Sequence, residues 1–143
     1  MIQRIQSVWF LVAGLLSLAT FKLAFWTSTY KDGVARPLYA HNADSLLIYI
    51  AVILLILISF GTIFLFKQRP LQSRLCLLGI IVSIGLLVLE VREVGDIKDD
   101  ANFSTGNWLP GIVLPLLIPV ALILAMRGIR KDQKLVKSLE RLR

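Results

Sequence analysis

The chain has 143 residues, 57% of them hydrophobic, with a formal net charge of +7. That length allows one domain, and the apolar share, with a mean hydropathy of +0.76, excludes an ordinary water-soluble globular protein, whose helices need polar faces. The positive charges cluster at the ends of apolar runs, so they read as topology signals and not as a nucleic-acid surface.

Met1 to Gln6 leads into an apolar run from Val8 to Phe21. Ser17 and Ala19 have the small-x-small form of a signal-peptide cleavage site, but the run continues through Lys22 to Trp26. A first span at about 6–26 with an aromatic outer anchor is therefore expected, Lys22 snorkelling to the headgroups. Thr27 to Asp44 is a polar connection carrying the sole histidine, His41, read as solvated because no second His or Cys completes a site. Asp44 or Ser45 is placed to cap the next helix.

Ser45 to Phe66 is 22 residues without a charge. At about 1.5 Å per residue it spans a hydrocarbon core of roughly 30 Å, giving a second span at about 45–67. The turn that follows holds Lys67, Arg69 and Arg74 and no acid, which marks it as cytoplasmic. Leu75 to Leu89 gives 15 further uncharged residues, short for a bilayer. A third span at about 72–94 brings Glu90, Arg92 and Glu93 into its last turns, with Gly95 as the stop. The expectation is a helix end emerging into the headgroups, with Arg92 free to pair with Asp96; the alternative is a proton or ion relay through Glu90 and Glu93. Cys76, the single cysteine, begins this run and reads as a buried small apolar residue.

Ile97 to Gly106 is an acidic and polar loop, with Asp96, Asp99 and Asp100 close together and read as solvated carboxylates and not as a calcium site. The fourth span, at about 108–128, contains Pro110 in its first turn and Pro115 and Pro119 in its interior, where a kink is expected. The tail, 127–143, carries seven basic residues and two acids. At about 100° per residue, Ile129, Leu135, Val136, Leu139 and Leu142 share an arc of about 140°, opposite Arg127, Arg130, Lys131, Lys134, Lys137 and Arg141. This is a basic amphipathic helix suited to lying on lipid or docking a partner.

Four spans put 11 of the 16 Lys and Arg on the side of the termini, opposite seven of the nine acids. Both termini are therefore expected in the cytoplasm. The fold class expected is an all-α membrane protein, four transmembrane helices with a cytoplasmic basic amphipathic C-terminal helix.

The opening MIQRIQ, the turn KQRPLQSRLC and the tail MRGIRKDQKLVKSLERLR together resemble an uncharacterised family of small four-span bacterial inner-membrane proteins. The tail departs from that pattern at Gln133, Leu139 and Glu140. The resemblance implies four spans and an inner-membrane location, and brings no activity or catalytic residue with it.

No nucleotide loop, zinc-helix motif or nucleophile elbow is present. The hydroxyls within the spans, Ser17, Ser59, Thr62 and Ser83, have no neighbouring base and are expected to bond carbonyls one turn back. Small residues one turn apart, Ala13 with Ser17 and Gly79 with Ser83, suit close helix packing. The function expected is that of a non-catalytic, cofactor-free accessory or scaffold subunit, contacting membrane lipid, a protein partner or its own copies through the tail. The alternative is a small oligomeric transporter or channel built on Pro115, Pro119, Glu90 and Glu93.

Overall fold

The computed structural model describes residues 2–65 and 68–141, with side chains at 6–65, 68 and 70–131. Four helices, α1 (Ile2–Ala19), α2 (Leu46–Phe64), α3 (Arg69–Lys98) and α4 (Leu114–Arg141), alternate in direction. Helices consecutive in sequence pack on one another, α1 on α2, α2 on α3 and α3 on α4, and α1 closes the ring against α4. Between the helices run strands β1 (Trp26–Tyr30), β2 (Ala35–Leu38) and β3 (Phe103–Trp108), then a 3-10 turn at Pro110–Val113. The all-α expectation is corrected here: one end of the bundle carries a three-stranded antiparallel sheet, in the order β2-β1-β3.

Three segments, Leu46–Phe64, Pro70–Lys98 and Pro110–Lys131, are long and apolar enough to cross a membrane. In α1 the apolar stretch Gln6–Ala19 is shorter. Outward faces throughout are apolar: Val8, Leu57, Ile81 and Val88 are each more than half exposed, the inverse of a soluble helix surface. Inside, one core runs through the bundle from Phe10 and Ala13 across Ile48, Val52 and Leu55 to Leu86, Leu122 and Ile129.

The first span does not continue to Trp26 as a helix. After Ala19 the backbone bonds shorten into turns, with Phe21 N–H donating to the Leu18 carbonyl and Lys22 N–H to that of Ala19. The chain then enters β1, because the Thr-rich Trp26–Tyr30 segment finds partners on both edges. Trp26 is 2% exposed and is no interface anchor. With Phe25 and Val94 it forms a small second core, packed by Leu38, Phe103 and Ile112. Its ring meets that of Trp108 edge-on at 4.8 Å, and Lys98 Nζ lies 4.9 Å from the Trp26 ring centre. The β1–β2 turn is closed by Gly33, at φ 77°, and by Asp32, whose side chain accepts from Val34 N–H.

The sheet is fastened to the bundle by backbone. Phe25 N–H donates to the Leu38 carbonyl, Leu109 N–H to that of Phe25, and Gly111 N–H to that of Ala24, each at 3.0 Å. A Cβ on Gly111 would overlap the Ala24 carbonyl and lie 2.7 Å from the Leu23 carbonyl oxygen. Only glycine permits that approach.

The remaining boundaries differ in informative ways. α3 runs through Gly95 to Lys98, because Val94 and Glu93 are buried and hold the last turns in place. The fourth span begins as a 3-10 turn, so Pro115 falls in the first turn of α4 and only Pro119 is interior. Pro115 therefore breaks no helical bond, and the paired-kink expectation is halved.

Gly111→Ala is expected to lower stability by about 1–3 kcal/mol, read as a fall in melting temperature in detergent. Gly85→Ala, with open space at its Cβ position, is expected to stay within about 1 kcal/mol of the parent. Equal melting temperatures for the two variants would show that the crossing of 24 and 111 is loose.

Candidate functional site

The inward face of α3 repeats at helical spacing: Cys76, Ser83, Leu86, Glu90 and Val94 are all buried. Its neighbours fix the depth of each position. Gln72 Nε2 donates to the Thr62 carbonyl at 2.8 Å, Gly79 faces Ile58, and Asp44 N–H donates to Glu93 Oε1 at 2.7 Å. In this antiparallel register Glu93 sits at the start of α2, and Glu90 lies one turn, about 4.5 Å, further in.

The helix end does not leave these two acids bare. Glu90 is 1% exposed and Glu93 7%, because the helix continues past them and the sheet packs on that end of the bundle. Glu93 supplies an acceptor at the entrance of α2. Ser45, the residue preceding that helix, makes no side-chain capping bond, so the expected side-chain cap is not formed there, and the Glu93 carboxylate instead binds the Asp44 N–H just before the cap position. Glu90 Oε2 has no hydrogen-bond partner among the described residues.

Outside Glu93 the surface is acidic. A cavity of about 200 Å³ is lined by Tyr30, Asp44, Glu93, Asp96, Ile97 and Asp100, and an adjoining one of about 250 Å³ by Ser45, Leu47, Leu89, Arg92, Glu93 and Asp96. Arg92 and Asp96 share the latter without pairing; among the described residues the ion pair formed is Arg36–Asp32, 3.3 Å and exposed. No three His, Cys, Asp or Glu among the described residues are placed to share a metal ion. His41 is exposed, with Nδ1 3.1 Å from the Phe21 carbonyl oxygen and its ring stacked on Tyr39. It braces the loop after α1.

Of the hydroxyls within the helices, Ser17, Thr62 and Ser83 bond carbonyls one turn back. Ser59 Oγ is buried without a partner among the described residues. None stands beside a base.

At the opposite end, Arg74 and Arg130 come together. They line a cavity of about 350 Å³ with Pro70, Ser73, Leu77 and Met126, in the seam between α3 and α4. The sequence assigns these arginines to a turn and a tail, and gives no sign that they meet. Arg127, Arg130 and Lys131 are exposed. Ile129, expected on the free apolar stripe of the tail, is fully buried in the bundle core. The backbone of α4 continues without a break to Arg141, so the tail is the same helix as the fourth span and not a separate surface helix. Lys67 lies outside the described residues, as do the side chains of Arg69, Lys134, Leu135, Lys137, Leu139 and Arg141.

The family described as Domain of unknown function (DUF4293) matches residues 2–142 of the chain. No curated protein and no solved structure matches it.

The two acids are expected to respond oppositely to loss of their oxygens. Glu93→Leu removes the acceptor of the Asp44 N–H and is expected to lower stability by about 1–3 kcal/mol, while Glu93→Gln keeps an acceptor and stays near the parent. Glu90→Leu is expected to melt at or above the parent, since it removes an unpartnered buried oxygen. A destabilised Glu90→Leu beside an unaffected Glu93→Leu would reverse these roles.

Proposed function

The chain belongs to this family, whose description assigns no activity, and from that premise we propose that it is a four-span protein of the bacterial cytoplasmic membrane that works by contact and not by catalysis. Both ends lie in the cytoplasm. The protein is an accessory or scaffold subunit whose basic inner end meets lipid headgroups and a protein partner or a second copy.

The observation that carries this reading is the continuity of α4. Its 28 residues rise about 42 Å, more than the roughly 30 Å of a hydrocarbon core. A helix whose first half is apolar and whose last half is basic leaves its basic end outside the bilayer. By sequence period, Val136 and Leu139 continue the register of Leu122, Ala125 and Ile129, the residues α4 buries in the bundle. This extension offers a helix-in-groove contact flanked by Lys134, Lys137 and Arg141.

Two further observations support the placement. α1, despite its shorter apolar stretch, packs along the bundle's whole length: Gln6 faces Gly128, Phe60 faces Gly14, and Phe21 meets Tyr49 edge-on at 5.6 Å. The charge asymmetry also follows the two ends, acids on the sheet-covered end and bases on the other.

A small oligomeric transporter or channel is the second reading, favoured now by Glu90 alone. Pro115 in a first turn no longer argues for a moving helix, and inward of Glu90 the core runs through Leu55, Leu86 and Leu122 with hydroxyls such as Ser83 bonded to their own helix and no further buried charge among the described residues. A proton-uptake activity abolished by Glu90→Gln would promote it.

Replacing Leu135 and Leu139 by Ser keeps every charge and interrupts the stripe at its middle. Each Leu buried in a contact contributes about 1.5–3 kcal/mol, so protease cleavage of the tail in inverted membrane vesicles is expected to rise by about tenfold or more. Unchanged cleavage would mean that the stripe contacts nothing.

A further inference from the structure

The seam between α3 and α4 at the basic end is amphipathic in depth. Leu77 and Met126 form its inner part. Arg74 and Arg130 lie about one turn, roughly 5 Å, nearer the end of the bundle, with Ser73 and Pro70 at the rim. Leu77 is 56% exposed, so the cavity opens on the outer, apolar flank of the bundle and not into its interior. The six lining residues include no acid, and neither arginine is paired with a carboxylate among the described residues.

Two arginines from different helices line one cavity and face it with positive charge alone, and a phosphate accepts guanidinium N–H groups in matching pairs. The Ser73 hydroxyl adds a donor. The apolar stem below them sits where acyl chains begin. We infer that this cavity is a headgroup site for an anionic phospholipid, its phosphate held by Arg74, Arg130 and Ser73 and its glycerol and first methylenes lying against Leu77 and Met126. A free phosphate shares the upper half of this chemistry but leaves the apolar half unused; the lipid uses both. Basic pockets between spanning helices on the cytoplasmic side are suited to such headgroups. The site deepens the contact function proposed above and rests on its placement of this end in the cytoplasm, while involving none of the tail stripe.

The test uses the full chain, purified in a neutral detergent and stripped of lipid. It is titrated with short-chain phosphatidylglycerol, with zwitterionic phosphatidylcholine of the same chain length and with inorganic phosphate, and bound lipid is counted by native mass spectrometry. Phosphatidylglycerol is expected to bind about tenfold or more tighter than phosphatidylcholine. Arg74→Gln with Arg130→Gln is expected to lose about tenfold or more, and so is Ser73→Phe, which fills the cavity and leaves every charge. Lys22→Gln with Lys31→Gln, the same charge change at the far end, is expected to bind as the parent does.

Equal binding of the two lipids, an equal loss in the Lys22/Lys31 variant, or parental binding by both cavity variants would overturn the site. Displacement of phosphatidylglycerol by an equal concentration of inorganic phosphate would overturn the lipid assignment. If melting curves show that Ser73→Phe does not fold, the arginine pair, exposed on the surface, decides alone. Failure of the tail contact shows in the protease measurement with Leu135 and Leu139, which leaves this cavity intact, so the two proposals fail separately.

Discussion

Where the chain leaves α1 and enters α4, two backbones pass so closely that one of them has to be glycine. Gly111 donates to the Ala24 carbonyl while the neighbouring Phe25 bonds Leu38 on one side and receives Leu109 on the other. Helices satisfy their own backbone polar groups unaided, whereas the connections at this end satisfy theirs by pairing as a sheet. That sheet covers the end of the bundle, buries Trp26 and Val94, and lets α3 run on past Glu90 and Glu93 without exposing them.

The two ends of the bundle then carry different chemistry. The sheet-covered end is rich in carboxylates arranged around small cavities, with Glu93 serving as an acceptor for the entrance of α2. The other end gathers arginines into the α3–α4 seam and prolongs α4 as a basic helix. Between them the core is largely apolar, and its hydroxyls Ser17, Thr62 and Ser83 bond carbonyls of their own helices, so the charged side chains lie toward the ends. A protein built this way presents surfaces, and its most distinctive surface is the basic one.

The spans were legible where an uncharged run met a clear charge. α2 begins within a residue of its expected start because nothing polar interrupts Leu46–Phe64. The sheet was not expected, although part of its signal was present: Trp26–Tyr30 is rich in β-prone residues, and Asp32-Gly33 is a hairpin turn. β3 has no such signal. Phe103–Trp108 contains Gly106 and Asn107 and becomes a strand only because β1 lies beside it.

The acids at the end of the apolar run posed a question that sequence could not answer. Whether Glu90 emerges or is covered depends on segments far away in the chain. The meeting of Arg74 with Arg130 likewise needs the α3–α4 pairing. The amphipathic period of the tail was readable, but not the fact that Ile129 already belongs to the core.

On the proposed function the acidic sheet lies outside the cell membrane and the basic seam inside. Single cysteines at Asp99 and Gln68, both exposed, measure that directly, since the native Cys76 is buried. With a membrane-impermeant maleimide on intact spheroplasts, Asp99→Cys is predicted to label at once and Gln68→Cys only after lysis. Labelling of Gln68→Cys in intact spheroplasts, with Asp99→Cys protected, would invert the molecule and contradict the account.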